Sequence, residues 1–423
     1  MFRALAVRNY RLYAVGGAVS NVGTWAMRIA QDLLVAKLSH NNGVVIGVVT
    51  GLQFLPMLLF SLWGGVLADR FPKRSLLMWT QVGLGLTAGT LGLLDVTGVI
   101  RIWHVYLLSF AFGLVAALDA PARQSFVSEM VGIDLLPNAV GLNSASFNAA
   151  RLVGPALAGV LVGVFGTGPV ICTNAVSYGF VLAALAAMRT GELNPPVARS
   201  GTGGLGEGLR HLRARPDLMV CLAIVGALGT FGMNLSVVSL LMATKVFHTG
   251  SEGYGLLASV TAVGSLTAAV LGARRTGSRL RWVVGAASVF AVVLTASALM
   301  PTYALYAVAL VPVGFASITA LLCANVFDQL SAGARFRGRV MSVHMLMLQG
   351  GAPLGAPFVG WVGQQEGPRA AIVVSGVLVA VGVAVPTLLY RRHLTRNRFR
   401  VETHLWPHPG LSVLAPAAPR QSR

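Results

Sequence analysis

Twelve apolar windows, each long enough to cross a bilayer, dominate this sequence: 10–37, 44–68, 75–95, 102–121, 138–165, 168–189, 218–243, 253–273, 282–300, 302–326, 340–363 and 369–390. A transmembrane helix needs about 20 predominantly apolar residues. In hydrocarbon, a segment crosses only if its backbone groups are bonded internally, which favours helices for windows of this length. The reading is an all-α integral membrane protein of twelve transmembrane helices. Composition leaves little room for a soluble class: 11% of residues are charged and 55% hydrophobic, with a mean hydropathy of +0.73. An ordinary soluble domain carries about 25% charged residues.

The formal charge of +19 would point to nucleic acid in a soluble protein. Here the cations have a simpler origin. With the N-terminus inside, 26 of the 32 lysines and arginines fall in segments on one side of the membrane. Four, Lys37, Arg101, Lys245 and Arg369, fall on the other, and Arg28 and Arg151 lie within spans. That asymmetry is the positive-inside rule. It predicts cytoplasmic termini in the cell membrane, lipid as the surrounding partner and no nucleic acid.

The longest connector, 190–217, is polar, rich in Gly, Pro and Arg, and divides the spans six and six. The expected organisation is an N-terminal bundle over 1–189, a cytoplasmic linker over 190–217 and a C-terminal bundle over 218–390. A basic tail over 391–423 is expected to be disordered and held near anionic lipid by its cations. The halves are similar: IGVVTGLQFLPMLLFSLWGG from Ile46 and YGLLASVTAVGSLTAAVLGA from Tyr254 each open the second span of their half. Two pseudo-symmetric six-helix bundles are a common plan among secondary transporters. The N-terminal apolar run is too long for a cleavable signal peptide. Cys172, Cys221 and Cys323 stand alone in apolar stretches, with the spacing of neither a disulfide framework nor a zinc site.

One inner turn carries more information than the others. Residues 64–74 read GGVLADRFPKR and resemble the best-known motif of the major facilitator superfamily, G-x-L-A-D-R-x-G-R-R/K. Gly65, Leu67, Ala68, Asp69, Arg70, Lys73 and Arg74 match it at the correct loop, and Pro72 replaces a glycine. The fifth span resembles the antiporter motif of the superfamily's exporters, G-x8-G-x3-G-P-x2-G-G, through Gly141, Gly154, Pro155 and Gly159. Ala150 and Ala158 stand in for two glycines. NVGTWAMRIAQDLLV (21–35), DAPARQSFVSEMV (119–131), LNSASFNAARLVGPALAG (142–159) and RFRGRVMSV (335–343) are similar to enterobactin-exporter-like and macrolide-efflux-like members. The resemblance covers the chain apart from its tail.

The resemblance implies the major facilitator fold and alternating access. It implies that Asp69 latches onto the start of the eleventh helix, near Gly338, in one of the two transport states. A carboxylate is favoured at a helix N-terminus by the free amides and the positive end of the dipole there. Gly65 would allow the close approach, with Arg70 and Arg74 on the inner surface. The competing reading is a plain stop-transfer turn. In the fifth span, Pro155 lacks an amide hydrogen and frees a carbonyl one turn earlier, so a kink there would seal the path against the other half.

Charges inside spans are costly, about 2.5–3.5 kcal/mol at mid-bilayer on insertion scales, and normally face a wet cavity or one another. Arg28 and Asp32 are four residues apart and share a helix face. Asp32 is the candidate proton-titrating carboxylate, Arg28 its modulator and Arg151 a second cavity charge. A structural ion pair is the alternative. Gln53, Asn143 and Asn148 are candidate lining donors, with Gln31, Asn174, Asn234 and Gln349 as weaker ones. The superfamily's drug–proton antiporters usually carry an arginine in the fourth span where this chain has Ser109, so coupling cannot be transferred from that helix. His344 reads as a packing residue. GTGGLG (201–206) follows no strand and reads as linker.

The expected function is proton-coupled efflux of an amphipathic small molecule (a drug, siderophore or secondary metabolite) by a monomer without a cofactor. The alternative is a proton symporter importing a small polar nutrient. A membrane-embedded enzyme is disfavoured because no His, Asp or Glu cluster marks a span end.

Overall fold

The structure, a computed structural model, describes residues 3–194, 210, 212–272 and 277–404. Most of the expected linker (195–209 and 211) and the end of the tail (405–423) lie outside these residues, as do the surroundings of Gly65 and the side chains of Asp69 and Arg335. The described residues form helices and turns, with no strand among them.

Helices α1 (Arg8–Leu38), α2 (Gly43–Arg70), α3 (Lys73–Val96), α4 (Ile102–Gly132), α5 (Asp134–Phe165) and α6 (Thr167–Ala186) make the N-terminal bundle. Helices α7 (Pro216–Val246), α8 (Ser251–Gly272), α9 (Leu280–Ser297) and α10 (Tyr303–Ser331) begin the C-terminal one. Helix α11 runs in two pieces, Gly333–Gly350 and Ala352–Gln365, and α12 is Pro368–His404. Ten of these helices are long and apolar enough to cross a bilayer by composition alone. The two that fall short have evident reasons. Helix α1 adds Arg28, Asp32 and Lys37 to the polar Ser20, Asn21 and Thr24, and α11 opens with Arg335, Arg337 and Arg339 and is interrupted at Gly351.

Two boundaries differ from expectation. Helix α4 does not stop near residue 121 but continues to Gly132, where φ 70° and ψ 175° turn the chain into α5. Only glycine adopts that backbone region without strain. The polar residues that broke the hydropathy pattern are partnered inside the N-terminal bundle. Asp119 accepts from Thr80 Oγ1 (2.7 Å), Gln81 Nε2 (2.9 Å) and Arg123 Nε (2.8 Å), and Glu129 pairs with Lys73 (2.5 Å). At the other end of the chain, α12 extends through His404, into the segment expected to be disordered. Adding residues to a helix already nucleated in the membrane costs far less than starting one.

The motif turn is fastened to its own bundle. Arg74 donates from Nε to Leu185 O (2.7 Å) and from Nη2 to Ala186 O (3.1 Å), satisfying carbonyls that the end of α6 would leave free. Asn9 does the same service nearby, accepting from Arg189 N and donating to Arg189 O. With the Lys73–Glu129 pair, these contacts tie α1, α3, α4 and α6 together at the cation-bearing end.

The halves meet at the opposite, cation-poor end. Helix α2 lies against the second piece of α11 so closely that a Cβ on Gly47 would strike the carbonyl of Ala356, and one on Gly360 the carbonyl of Gly43. Gly43 N also donates to Gln364 Oε1 (3.0 Å), which accepts from Lys245 Nζ (2.7 Å) as well. Helix α5 crosses α8 where Gly159 faces Gly255, and a Cβ on Gly255 would strike the carbonyl of Pro155. Small residues allow such approach in membranes, where dispersion rather than water exclusion drives helix association. At the cation-bearing end, by contrast, a Cβ on Gly141 or Gly338 would meet nothing within 4 Å. The bundles are therefore in close contact at the cation-poor end.

Candidate transport cavity

A cavity of about 200 Å³ lies between the halves, just beneath the closed end. Trp25, Arg28 and Asp32 of α1, Gln53 and Phe54 of α2, and Arg151 and Pro155 of α5 form one wall. Ser236 and Ser239 of α7, Tyr254 and Thr261 of α8 and Ser317 of α10 form the other. The one-turn spacing of Arg28 and Asp32 puts both on the cavity face, as their sequence separation requires.

Their partners differ from a simple ion pair. Asp32 Oδ2 accepts a 2.6 Å hydrogen bond from the Tyr254 hydroxyl, across the boundary between the bundles. No salt bridge joins Asp32 to Arg28 among the described residues. The Arg28 guanidinium lies instead against two ring faces, 5.2 Å from the Trp25 centroid and 5.8 Å from that of Phe54. Arg151 approaches the same indole at 5.7 Å. Cation–π contacts are worth about 0.5–1 kcal/mol when exposed and about 2 kcal/mol when desolvated. That falls short of the mid-bilayer cost of a cation, about 2.5–3.5 kcal/mol. Phe147 packs edge-on against Trp25 at 5.6 Å and extends the aromatic shelf.

The polar residues picked from the sequence do not all gather here. Gln53 lines the cavity. Asn143 and Asn148 line a separate recess of about 590 Å³ with Tyr13, Asn21 and Arg123; there Asn143 accepts from Tyr10 OH (3.1 Å), and Asn148 Nδ2 donates back to Ser144 O (2.8 Å). Gln31 Nε2 donates to Ser109 Oγ (2.9 Å), so the fourth-helix serine serves a neutral contact with α1. Asn174 faces Met27, Asn234 bonds back to Thr230 O, and Gln349 approaches Met57 Sδ. Of the antiporter-motif positions, Gly154 presses on Trp25, Pro155 and Gly159 meet α8, and Gly141 lies in open space. Arg70 is exposed.

Three groups escaped the sequence reading. Tyr254 opens a span, where an aromatic reads as an interfacial anchor, and its link to Asp32 spans 222 residues of chain. Asp328 is fully buried and lies 2.7 Å from His344 Nδ1, itself 1% exposed. The apolar window had ended at 326, so this α10–α11 pair was invisible as a pair. Asp119 was hidden in the same way by the early end assigned to α4.

Two six-helix bundles meeting around a polar central cavity, sealed at one end, define a membrane transporter of the major facilitator fold. The comparisons agree. Residues 2–417 match the transmembrane secretion effector family. The chain is 22% identical over 394 residues to the enterobactin exporter EntS of Shigella flexneri, covering 90% of this chain and 91% of that protein. It is 24% identical over 255 residues to the staphyloferrin A transporter of Staphylococcus aureus, covering 59% of this chain and only 63% of that protein. Among solved structures, a bacterial homolog of the human lysosomal transporter Spinster, in an inward-facing and unoccupied conformation, superposes with a TM-score of 0.74 at 15% identity. That match covers 92% of this chain and 97% of the other and shows the shared fold. This chain belongs to the transmembrane secretion effector family of the major facilitator superfamily: it is a multi-pass membrane protein of a transporter family, not an enzyme.

Proposed function

We propose that this protein exports an amphipathic small molecule from the cytoplasm across the cell membrane in exchange for protons. The observation that carries the reading is the Asp32–Tyr254 hydrogen bond, which joins a membrane-embedded carboxylate on one bundle to the other bundle at the closed end of the cavity. Protonation of Asp32 removes the charge that strengthens this bond, so proton arrival from outside and opening of the outer end are linked through one contact. On the positive-inside rule the cation-bearing end is cytoplasmic, which makes the end held closed by this bond the outer one.

The other half of the cycle needs the inner end closed. In that state Asp69 meets the start of α11, which lies at Gly333 rather than near Gly338 as expected from the sequence, with Gly65 permitting the approach and Arg70 and Arg74 flanking it. Arg74 keeps its α6 contacts throughout. The Gly154–Pro155–Gly159 face of α5 rolls on α8 between the states. Relatives named for enterobactin export and staphyloferrin A transport, together with a macrolide efflux protein of Streptococcus pyogenes at 23% identity, support a siderophore, drug or secondary metabolite as cargo.

The test uses everted membrane vesicles from cells expressing the chain. Acidifying the vesicle lumen drives uptake of exported substrates, and Asp32→Asn abolishes the gradient dependence. Uptake driven by the reverse gradient would instead establish an importer, and full gradient-driven export by Asp32→Asn would remove Asp32 as the proton carrier.

A further inference from the structure

The charges facing the cavity are unequal, and their arrangement bears on what the cavity accepts. We infer that it selects an organic anion: a carboxylate, sulfonate or acidic phenol carried on a flat apolar body. This inference rests on the transport reading above and names the substrate class of the same cavity.

Among the lining residues, Arg28 and Arg151 are cations and Asp32 is the sole anion. Asp32 is already engaged by Tyr254 from the far wall. Neither guanidinium has a hydrogen bond or salt bridge among the described residues. Both lie against ring faces within 6 Å of the same indole, and Arg28 is also attracted by the charge of Asp32 one turn away. Arg28 is exposed to the cavity although the bundles enclose it. Two cations sharing one ring repel each other, and an anion placed between them relieves that repulsion while supplying the charged acceptor both forks lack.

The opposite wall adds hydroxyls and no charge: Ser236, Ser239, Thr261 and Ser317. Thr261 and Ser317 already donate to Leu257 O (2.8 Å) and Gly314 O (2.9 Å), which leaves Ser236 to donate to an acidic headgroup. Trp25 and Phe54 present flat apolar faces beside the two guanidiniums, suited to the body of an aromatic acid. A cationic substrate would bring a third positive charge into the same space, and its only counter-charge would be a carboxylate that Tyr254 already holds.

The test uses purified full-length protein in nanodiscs of zwitterionic lipid and two radiolabelled probes with the same ring system, 2-naphthoate and 2-naphthylmethylammonium, in equilibrium dialysis. The expected result is at least about ten-fold tighter binding of the acid, the scale of one charge-assisted hydrogen bond. Arg28→Gln and Arg151→Gln should each weaken naphthoate about ten-fold, while Arg28→Lys, which keeps the charge, should retain most of the affinity. Equal or tighter binding of the ammonium overturns the inference, as does binding of neither probe, or unchanged naphthoate affinity in both Gln variants with intact thermal unfolding profiles. Proton-driven flux in proteoliposomes separates the two readings. Acid binding without flux leaves this inference standing and removes the transport reading. Flux of the ammonium but not the acid does the reverse.

Discussion

The Tyr254 hydroxyl donates to Asp32 Oδ2 at 2.6 Å, and this contact bridges α8 of one bundle and α1 of the other. Tyr254 is 1% exposed, so its hydroxyl has no water to turn to if the carboxylate is lost. A hydrogen bond to a charged group is worth about 1.5–3 kcal/mol, and an orphaned buried donor costs about 1–3 kcal/mol. Closure of the cation-poor end depends in part on this single pair.

Tyr254→Phe should therefore shift the protein toward opening at that end, by about ten-fold or more in the equilibrium between states. The check is a Ser236→Cys reporter on the cavity wall in a background lacking Cys172, Cys221 and Cys323. A membrane-impermeant thiol reagent applied from outside should label it faster in Tyr254→Phe. An unchanged rate would show that the bridge does not hold the end closed.

The glycine contacts make a second, steric prediction. Gly360→Val would drive its side chain into the backbone of α2 at Gly43, and overpacking of this kind costs about 1–3 kcal/mol. The cost arises only when the halves are closed. Spin labels at Asn42→Cys and Gln365→Cys should therefore report a longer distance in the Gly360→Val protein. A distance distribution identical to that of the parent would disprove the proposed seal.

Asp328 and His344 pin α10 to α11 in a fully buried setting. Removing one member of a buried pair leaves the other uncompensated, typically at a cost of about 3–5 kcal/mol. His344→Leu should thus lower the thermal midpoint of the purified protein sharply, and Asp328→Leu added to it should recover much of the loss. If the double variant is no more stable than the single, the two residues are not coupled.

Orientation has its own test. Thr97→Cys, in the exposed α3–α4 turn next to Arg101, should react with an impermeant reagent added to intact cells. Gly277→Cys, in the cation-rich α8–α9 turn, should react only after permeabilisation. The opposite pattern would invert the topology and with it the direction of transport.

How much of this was legible in the sequence differs from residue to residue. The helices around windows 44–68 and 282–300 follow directly from hydropathy. The full length of α4 does not, because hydropathy records Asp119, Arg123 and Glu129 as costs and is blind to the partners on α3 that offset them. Arg28 and Asp32 were assigned to one face correctly by their spacing, but spacing along one helix says nothing of Tyr254 or of the rings that receive Arg28. Asn143 and Asn148 looked like neighbours of Arg151 on the same helix. They line a different recess, because depth along the helix axis matters as much as face.

Sequence alone determined that this chain crosses the membrane many times, in two similar halves with their cations gathered on one side. Transfer into lipid is a local property, fixed residue by residue. Only the tertiary structure decided which end is closed, which carboxylate bridges the halves and which cations share the cavity. Those outcomes depend on contacts between residues hundreds of positions apart, each weak, that exist only when whole helices pack.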